Sequence, residues 1–392
     1  MAREEILKEI LSLSGNNFLL ELPTGVGKTR IALEKIKQLN GRKKKTLLIV
    51  VPRNVLKLTW KEEIYKWWKS CPLDITYTTY VSFPKYKGKW DYIVYDECHH
   101  LSERCREALC GFNATYSILC SATINKTLKD ELREVFDSIT IYKKNLRDII
   151  EDEILPDPKV YLIPLKLNTG LPTETIMKNP KSKGKLVECS WATRWNYITQ
   201  RNYPVKIYCN EFQYYQDLCS QIDYWKKKAK NSSFYINRWM KLCLERLKWL
   251  SNKKVKYTQQ LLTKLLDYRT IVFCNSIEQT ELLGEYCINS KNKNSLQYLE
   301  DFNSGKTDHI TSCNMINEGM NLTNCQIGIF NNINASEIIS IQRVGRILRH
   351  SNPIIVIPYF INTREEELVK KMLENYNPEL ITKILDINEL EI

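Results

Sequence analysis

The stretch that most constrains this chain is Leu22–Thr29, LPTGVGKT. It follows an apolar run from Phe18 to Leu22 and opens a periodic segment, TRIALEKI. Strand, tight glycine-bearing loop and helix together form a frame that can surround a phosphate group. Gly25 and Gly27 let the backbone close so that several N–H groups point inward. Lys28 has the reach for the outer phosphates of a nucleotide, and the Thr29 hydroxyl can sit on magnesium. Pro23, Thr24 and Val26 complete the loop, while the strict pattern has a glycine where Leu22 stands. A chance glycine turn before a helix is the plain alternative, and the joint presence of GKT and the strand–helix frame argues against it.

A chain of 392 residues can bury a large core and is expected to form two domains or more. The net charge of +13 favours a polyanionic partner, with a merely solvated basic surface as the alternative. No run of eighteen apolar residues occurs, so no membrane partner is expected. The opening MAREEILKEI carries acids inside a helical pattern and does not read as a secretory signal. Thirteen cysteines with no CxxC spacing read as reduced thiols, which places the chain in a reducing compartment such as the cytoplasm. Four histidines, two of them adjacent, make a poor zinc site.

In chain order, residues 3–13 predict a helix beside the phosphate loop. Thr46–Pro52, TLLIVVP, is apolar throughout, as strands of covered parallel sheets are. Arg53 and Asn54 follow at its carboxyl end, where open α/β sheets hold ligands, and Thr79 and Tyr80 end the next strand. All four are candidate contacts to a nucleic-acid backbone, or else plain loop residues. In WDYIVYDECHHL a third strand runs into two carboxylates. Asp96 is placed to hold magnesium, and Glu97 to orient or deprotonate an attacking water. His99 is expected near the nucleotide or the domain junction. In YSILCSAT, Ser121 and Thr123 can hydrogen-bond across to the acidic strand end. The acidic, proline-punctuated DIIEDEILPDPK reads as a hinge.

LPTGVGKT, DECHH and SAT, in this order, resemble the first motor domain of superfamily 2 helicases and translocases of the DExH form. The resemblance implies ATP and Mg²⁺ as cofactors. It continues in IVFCNS, in MINEGMNLTNCQIGIF, where Glu318 and Gly319 match a motif coupling nucleic acid to ATP, and in QRVGRILR. The family usually has aspartate where Asn321 stands, and no adenine-reading glutamine precedes the phosphate loop. Arg346 and Arg349, three apart, are expected on one helix face, reaching together for a γ-phosphate bound to the other domain, with Gln342 bonding water or phosphate.

The fold expected is therefore α/β, with two tandem RecA-like parallel-sheet domains. Residues 1–150 form the first, 151–159 a hinge and 160–392 the second, with a largely helical elaboration at about 170–262. Six aromatics there, Tyr214, Tyr215, Tyr224, Trp225, Trp239 and Trp249, can stack bases, although core packing is the blander reading. The resemblance is strongest to compact phage-type branch-migration and repair helicases. It implies a monomeric motor that remodels duplex or branched DNA, with replication or recombination proteins as partners. An RNA helicase and a non-enzymatic nucleic-acid clamp are the alternatives.

Overall fold

The computed structural model describes residues 2–40, 45–136, 138–170, 191–196, 198, 200–206, 210–313, 322–333, 337–374 and 376–392. The first half runs α1 (Ala2–Ser12), β1 (Asn17–Glu21), α2 (Lys28–Asn40), β2 (Thr46–Val51), α3 (Val55–Trp67), β3 (Asp74–Thr79) and β4 (Gly88–Asp96). It continues through α4 (Glu103–Leu109), β5 (Phe112–Ser121), α5 (Lys126–Val135), β6 (Thr140–Lys143) and α6 (Leu146–Glu151). Among the described residues its six strands form one parallel sheet in the order β3-β2-β4-β5-β1-β6. Alternate side chains feed two cores, as the strand period of two requires. Leu47, Ile49 and Val94 pack on one face, and Leu48, Val50 and Ile93 on the other. Because both faces are covered, these strands are apolar without alternation.

The second half opens with β7 (Lys159–Leu165), followed by β8 (Trp191–Asn196), β9 (Arg201–Lys206), α7 (Glu211–Asn231), α8 (Ile236–Lys253) and α9 (Val255–Lys264). Then come β10 (Thr270–Phe273), α10 (Ile277–Leu283), β11 (Cys287–Ile288), α11 (Ser295–Asn303), β12 (His309–Ser312) and β13 (Ile327–Ile329). The chain finishes with α12 (Glu337–Ile347), β14 (Ile354–Phe360), α13 (Arg364–Leu373) and β15 (Ile381–Lys383). Seven of these strands form a second parallel sheet, β11-β12-β10-β13-β14-β7-β15. The two parallel-sheet domains with a helical insertion are thus present as the sequence predicts.

Three details differ from expectation. Residues 168–204 fit neither the helical nor the strand period in the sequence, yet β8 and β9 pair as an antiparallel hairpin. Pro204 sits within it, which hides the strand signal. The C-terminal tail, which by sequence reads as a packing element, also extends the sheet, with β15 alongside β7. The six aromatics of the insertion divide. Tyr214, Tyr215 and Trp249 are buried in a small core with Leu218, Ile222 and Leu242, and Trp225 and Trp239 pack against it, whereas Tyr224 is exposed. The segment KNPKSKGK (178–185) lies outside the described residues.

Candidate active site

The carboxyl ends of β1, β4 and β5 lie side by side in the first sheet, which gathers three sequence motifs at one edge. The loop after β1 folds tightly. Gly25 and Gly27 take φ values of 95° and 100°, a left-handed region that side chains disfavour. The added carbon of an alanine at Gly27 would meet nothing within 4 Å, so the loop is open on that side for a ligand. Pro23, Thr24 and Val26 are buried beneath it. Helix α2 starts at Lys28, so its unpaired N–H groups and the Thr29 hydroxyl sit at a helix N-terminus, a favourable place for phosphate.

Lys28 is buried, donates to the Leu22 carbonyl at 3.0 Å and lies 3.5 Å from Glu97 Oε1. A buried ammonium resting on one carbonyl and one carboxylate is well suited to meet an anionic ligand. Glu97 adopts φ 50°, ψ 56°, an unusual conformation for a glutamate and of the kind that collects at functional sites. Its Oε2 is buried without a hydrogen-bond partner and stands 3.5 Å from His99 Nδ1. Asp96 is buried and receives a hydrogen bond from Trp60 Nε1 at 2.8 Å. Burial, and then the charge of Glu97, push its carboxyl up to about 6, against the opposing pull of Trp60 and Lys28. Among the described residues no group of three His, Cys, Asp or Glu could hold a metal. Thr29 and Asp96 fit the alternative of a magnesium ion bound through one carboxylate and the substrate's phosphates.

The expected link from β5 to the acidic strand end is present through Ser121. His99 Nδ1 lies 2.9 Å from Ser121 Oγ, and that hydroxyl donates to the Thr123 carbonyl at 2.9 Å. Thr123 takes part only through its backbone, because its own hydroxyl is buried without a partner. Glu318, Gly319 and Asn321 lie outside the described residues.

Of the expected nucleic-acid contacts, Arg53 and Asn54 are exposed after β2 and Thr79 is half-buried at the end of β3. Tyr80 is a correction. Its ring is buried and its hydroxyl donates to the Asp96 carbonyl at 2.7 Å, so it buttresses the acidic strand end and does not face a strand of nucleic acid.

The second domain reaches this edge through α12. A methyl group on Gly345 would lie 1.8 Å from Thr24 Oγ1, and one on Gly25 would lie 3.3 Å from the Gly345 carbonyl. Gln342 is 1% exposed, and its Nε2 is a buried donor with no partner. Such a group costs about 1–3 kcal/mol unless something accepts from it, as a phosphate oxygen or water can. Arg346 is buried one residue beyond the Gly345 contact. Arg349 does not share its helix face, because α12 ends at Ile347 and Arg349 is exposed in the turn that follows, with Arg3 and Glu63 as charged neighbours.

Three residues escaped the sequence reading. Trp60 looked like one more apolar position of a helix. Gly345 is marked in the sequence only as the glycine between Arg343 and Arg346. Arg343 is 1% exposed, donates to the Asn332 carbonyl at 2.9 Å and lies 5.1 Å from the Phe273 ring.

Comparison with known proteins gives a consistent picture. Residues 253–351 match the model of the helicase conserved C-terminal domain, and residues 2–82 that of the type III restriction enzyme res subunit. The DNA 3'-5' translocase XPB2 of Sulfurisphaera tokodaii is 22% identical over 353 residues, covering 84% of this chain and 74% of that protein. The Hef helicase domain of Pyrococcus furiosus superposes with a TM-score of 0.52 at 15% identity, over 94% of this chain and 97% of that one. Dbp5 of S. cerevisiae, bound to RNA and ADP BeF3, superposes with a TM-score of 0.57 at 10% identity, over 98% and 89%. Likeness at these identities concerns the fold, and the two family models add the enzyme class. The two family models support an ATP-hydrolysing enzyme of the superfamily 2 helicase and translocase type, carried on two parallel-sheet domains.

Proposed function

We propose that this chain couples ATP hydrolysis to movement along, or remodelling of, duplex or branched DNA, in the manner of the compact phage-type branch-migration and repair helicases. The observation that carries the reading is the contact of Thr24 and Gly25 with Gly345, which sets the phosphate loop of one domain directly against α12 of the other. A nucleotide bound at the loop would therefore be sensed by both domains. The boundaries proposed are residues 1–150 and 160–392 with a hinge at 151–159, which fit the gap between α6 and β7.

In this reading Lys28 and the N–H groups opening α2 hold the outer phosphates. Thr29 and Asp96 would hold Mg²⁺, which supplies charge neutralisation at the phosphates when bound. Glu97 accepts the proton of the attacking water through its unpartnered oxygen. Gln342, Arg346 and Arg349 meet the charge that grows on the γ-phosphate. His99 and Ser121 tie the state of Glu97 to the segment leading out of β5. Arg53, Asn54 and Thr79 grip the nucleic-acid backbone, which requires no reading of sequence.

DNA is the substrate favoured by the likeness to a protein named as a DNA translocase. The likeness to Dbp5, solved with RNA, supports an RNA helicase as the second reading. A panel separates them: ATPase and strand separation on single-stranded DNA, duplex DNA, forks, four-way junctions and RNA duplexes. The DNA reading expects the largest stimulation from a duplex or branched DNA, and preference for RNA overturns it.

A further inference from the structure

Among the described residues, the distal half of the α7–α8 hairpin touches the rest of the insertion's core only through the half-buried Trp225 and Trp239. Residues Asp223 to Lys241 include no buried residue among those described, whereas Ile222 before them and Leu242 after them belong to the insertion's core. The nine residues after Ile222 extend α7 by about 14 Å, at 1.5 Å per residue. A polar cap would suffice for such a tip. This one carries aromatics instead. Phe234 is 81% exposed and Tyr224 is 52% exposed. They belong to a chain of ring contacts, with Trp225 centred 5.2 Å from Tyr224 and 5.5 Å from Tyr235, which lies 5.3 Å from Phe234. Lys228 lies over three of these rings, at 4.9 Å from Tyr224, 5.7 Å from Tyr235 and 5.9 Å from Trp225, and Arg238 is 5.9 Å from Trp225.

Beyond Asp223 at its base, the charge of the tip is one-signed. From Tyr224 to Lys241 the chain carries Lys226, Lys227, Lys228, Lys230, Arg238 and Lys241 and no acid, and all six basic side chains are exposed. Exposed rings among cations, on an element that projects from a motor domain, match a ligand that alternates flat faces with negative charges. We propose that this tip binds unpaired nucleotides of the nucleic acid on which the enzyme acts, its rings stacking on bases and its lysines meeting the flanking phosphates. The proposal rests on the nucleic-acid motor reading above and adds a second contact, made by residues outside the candidate ATP site. It also explains why the aromatics of the insertion divide into buried and exposed sets. The inner ones build the hairpin's core and the outer ones face the ligand.

The test uses the full chain and fluorescence anisotropy with three labelled probes: a single-stranded oligothymidylate, the same phosphate backbone with abasic sites, and a blunt duplex. Tyr224→Ala with Phe234→Ala removes exposed rings only, so the variant is expected to melt as the wild type does. Its affinity for oligothymidylate should fall roughly tenfold or more, the scale of losing base stacking on an aromatic. Affinity for the abasic strand and the blunt duplex should stay within about twofold, as should ATP hydrolysis without nucleic acid. Replacing Lys226, Lys227 and Lys228 by Gln should weaken both single-stranded probes alike and lower the salt dependence of binding. Equal affinity of the double variant and the wild type for oligothymidylate, where the wild type binds, overturns the tip proposal and leaves the motor reading intact. Failure of the wild type to bind any nucleic acid overturns both. Binding to anionic vesicles that the double variant loses, with oligothymidylate binding retained, assigns the tip to a lipid surface and refutes the proposal.

Discussion

Thr24 and Gly345 touch across the two domains with no room for a side chain on the glycine. A methyl group at Gly345 would come within 1.8 Å of Thr24 Oγ1 and 2.7 Å of the Thr24 carbonyl. In a free helix alanine is favoured over glycine by about 0.5–1 kcal/mol, so Gly345→Ala should not unfold α12. It should instead hold the domains apart. Misplacement of catalytic groups by about 1 Å costs on the order of 10²-fold in rate. Nucleic-acid-stimulated kcat is therefore expected to fall at least tenfold, while nucleic-acid binding without nucleotide stays near the wild-type value. A variant with full kcat would show that this contact plays no part in the working state.

Lys28 and Glu97 touch each other yet should fail differently when replaced. If the Lys28 ammonium meets the phosphates as proposed, Lys28→Ala should lose ATP binding and hydrolysis together. Glu97→Gln keeps the shape and removes the base. Calorimetry should find ATP affinity within a few-fold of wild type with kcat reduced by roughly 10²-fold or more, the range of a lost general base. Equal loss of affinity in both variants would reject the separate roles.

Much of this site was legible in the chain because its chemistry is local. LPTGVGKT needs only a strand before it and a helix after it, and DECHH only a buried strand running into it. What was not legible depends on distant partners. Tyr80 ends a strand at a ligand-binding edge, and nothing in TTYVSF shows that its hydroxyl turns inward to the carbonyl of Asp96. Trp60 lies on a helix whose apolar spacing accounts for its burial, so its bond to Asp96 leaves no mark in the sequence. Arg346 and Arg349 have the spacing of one helix face, but the helix ends between them. The β8–β9 hairpin lacks the alternation that would have betrayed it.

Trp60 provides a prediction with a defined sign. Its indole N–H bonds the ionised form of Asp96 and so holds down a carboxyl that burial pushes up to about 6. Trp60→Phe removes the donor, and the Asp96 carboxyl should rise further. If magnesium needs the ionised form, the acid limb of kcat/KM must move to higher pH. A hydrogen bond to a charged group is worth about 1.5–3 kcal/mol and one pH unit about 1.4 kcal/mol, so the limb should move by about one unit or more. A pH profile of lower amplitude but unchanged midpoint would reduce Trp60 to packing.

Lys254 tests the second domain's core. It is fully buried, donates to Glu365 Oε1 at 2.7 Å and to the Pro358 carbonyl at 3.1 Å, and thereby ties the α8–α9 junction to β14 and α13. Burial pulls its ammonium below the ordinary lysine range, and the charge of Glu365 opposes this. Lys254→Ala leaves a buried carboxylate without its cation and should destabilise the protein by about 3–5 kcal/mol in denaturant unfolding. Pairing Lys254→Met with Glu365→Gln should recover a large part of that loss. A single variant as stable as wild type would show that water reaches Glu365.

The two arginines of QRVGRILR start from different places, and their roles should separate in a titration. Arg346 is buried beside the contact between Gly345 and the phosphate loop, whereas Arg349 is exposed near Arg3 and Glu63. If both meet the γ-phosphate as charge builds there, each alanine variant should lower kcat by roughly 10²-fold, the scale of losing one transition-state donor. Nucleic-acid affinity without nucleotide should change little. Arg349 must then swing inward as the domains close, so its variant should also lose any nucleotide-induced compaction seen by small-angle scattering. An arginine that merely holds the phosphate backbone gives another pattern. Its loss weakens binding, lowers the salt dependence of that binding and leaves kcat intact once nucleic acid is saturating. ATPase measured against nucleic-acid concentration for Arg346→Ala and Arg349→Ala therefore decides each residue separately. Full recovery of kcat at saturation removes that residue from the set acting on the γ-phosphate.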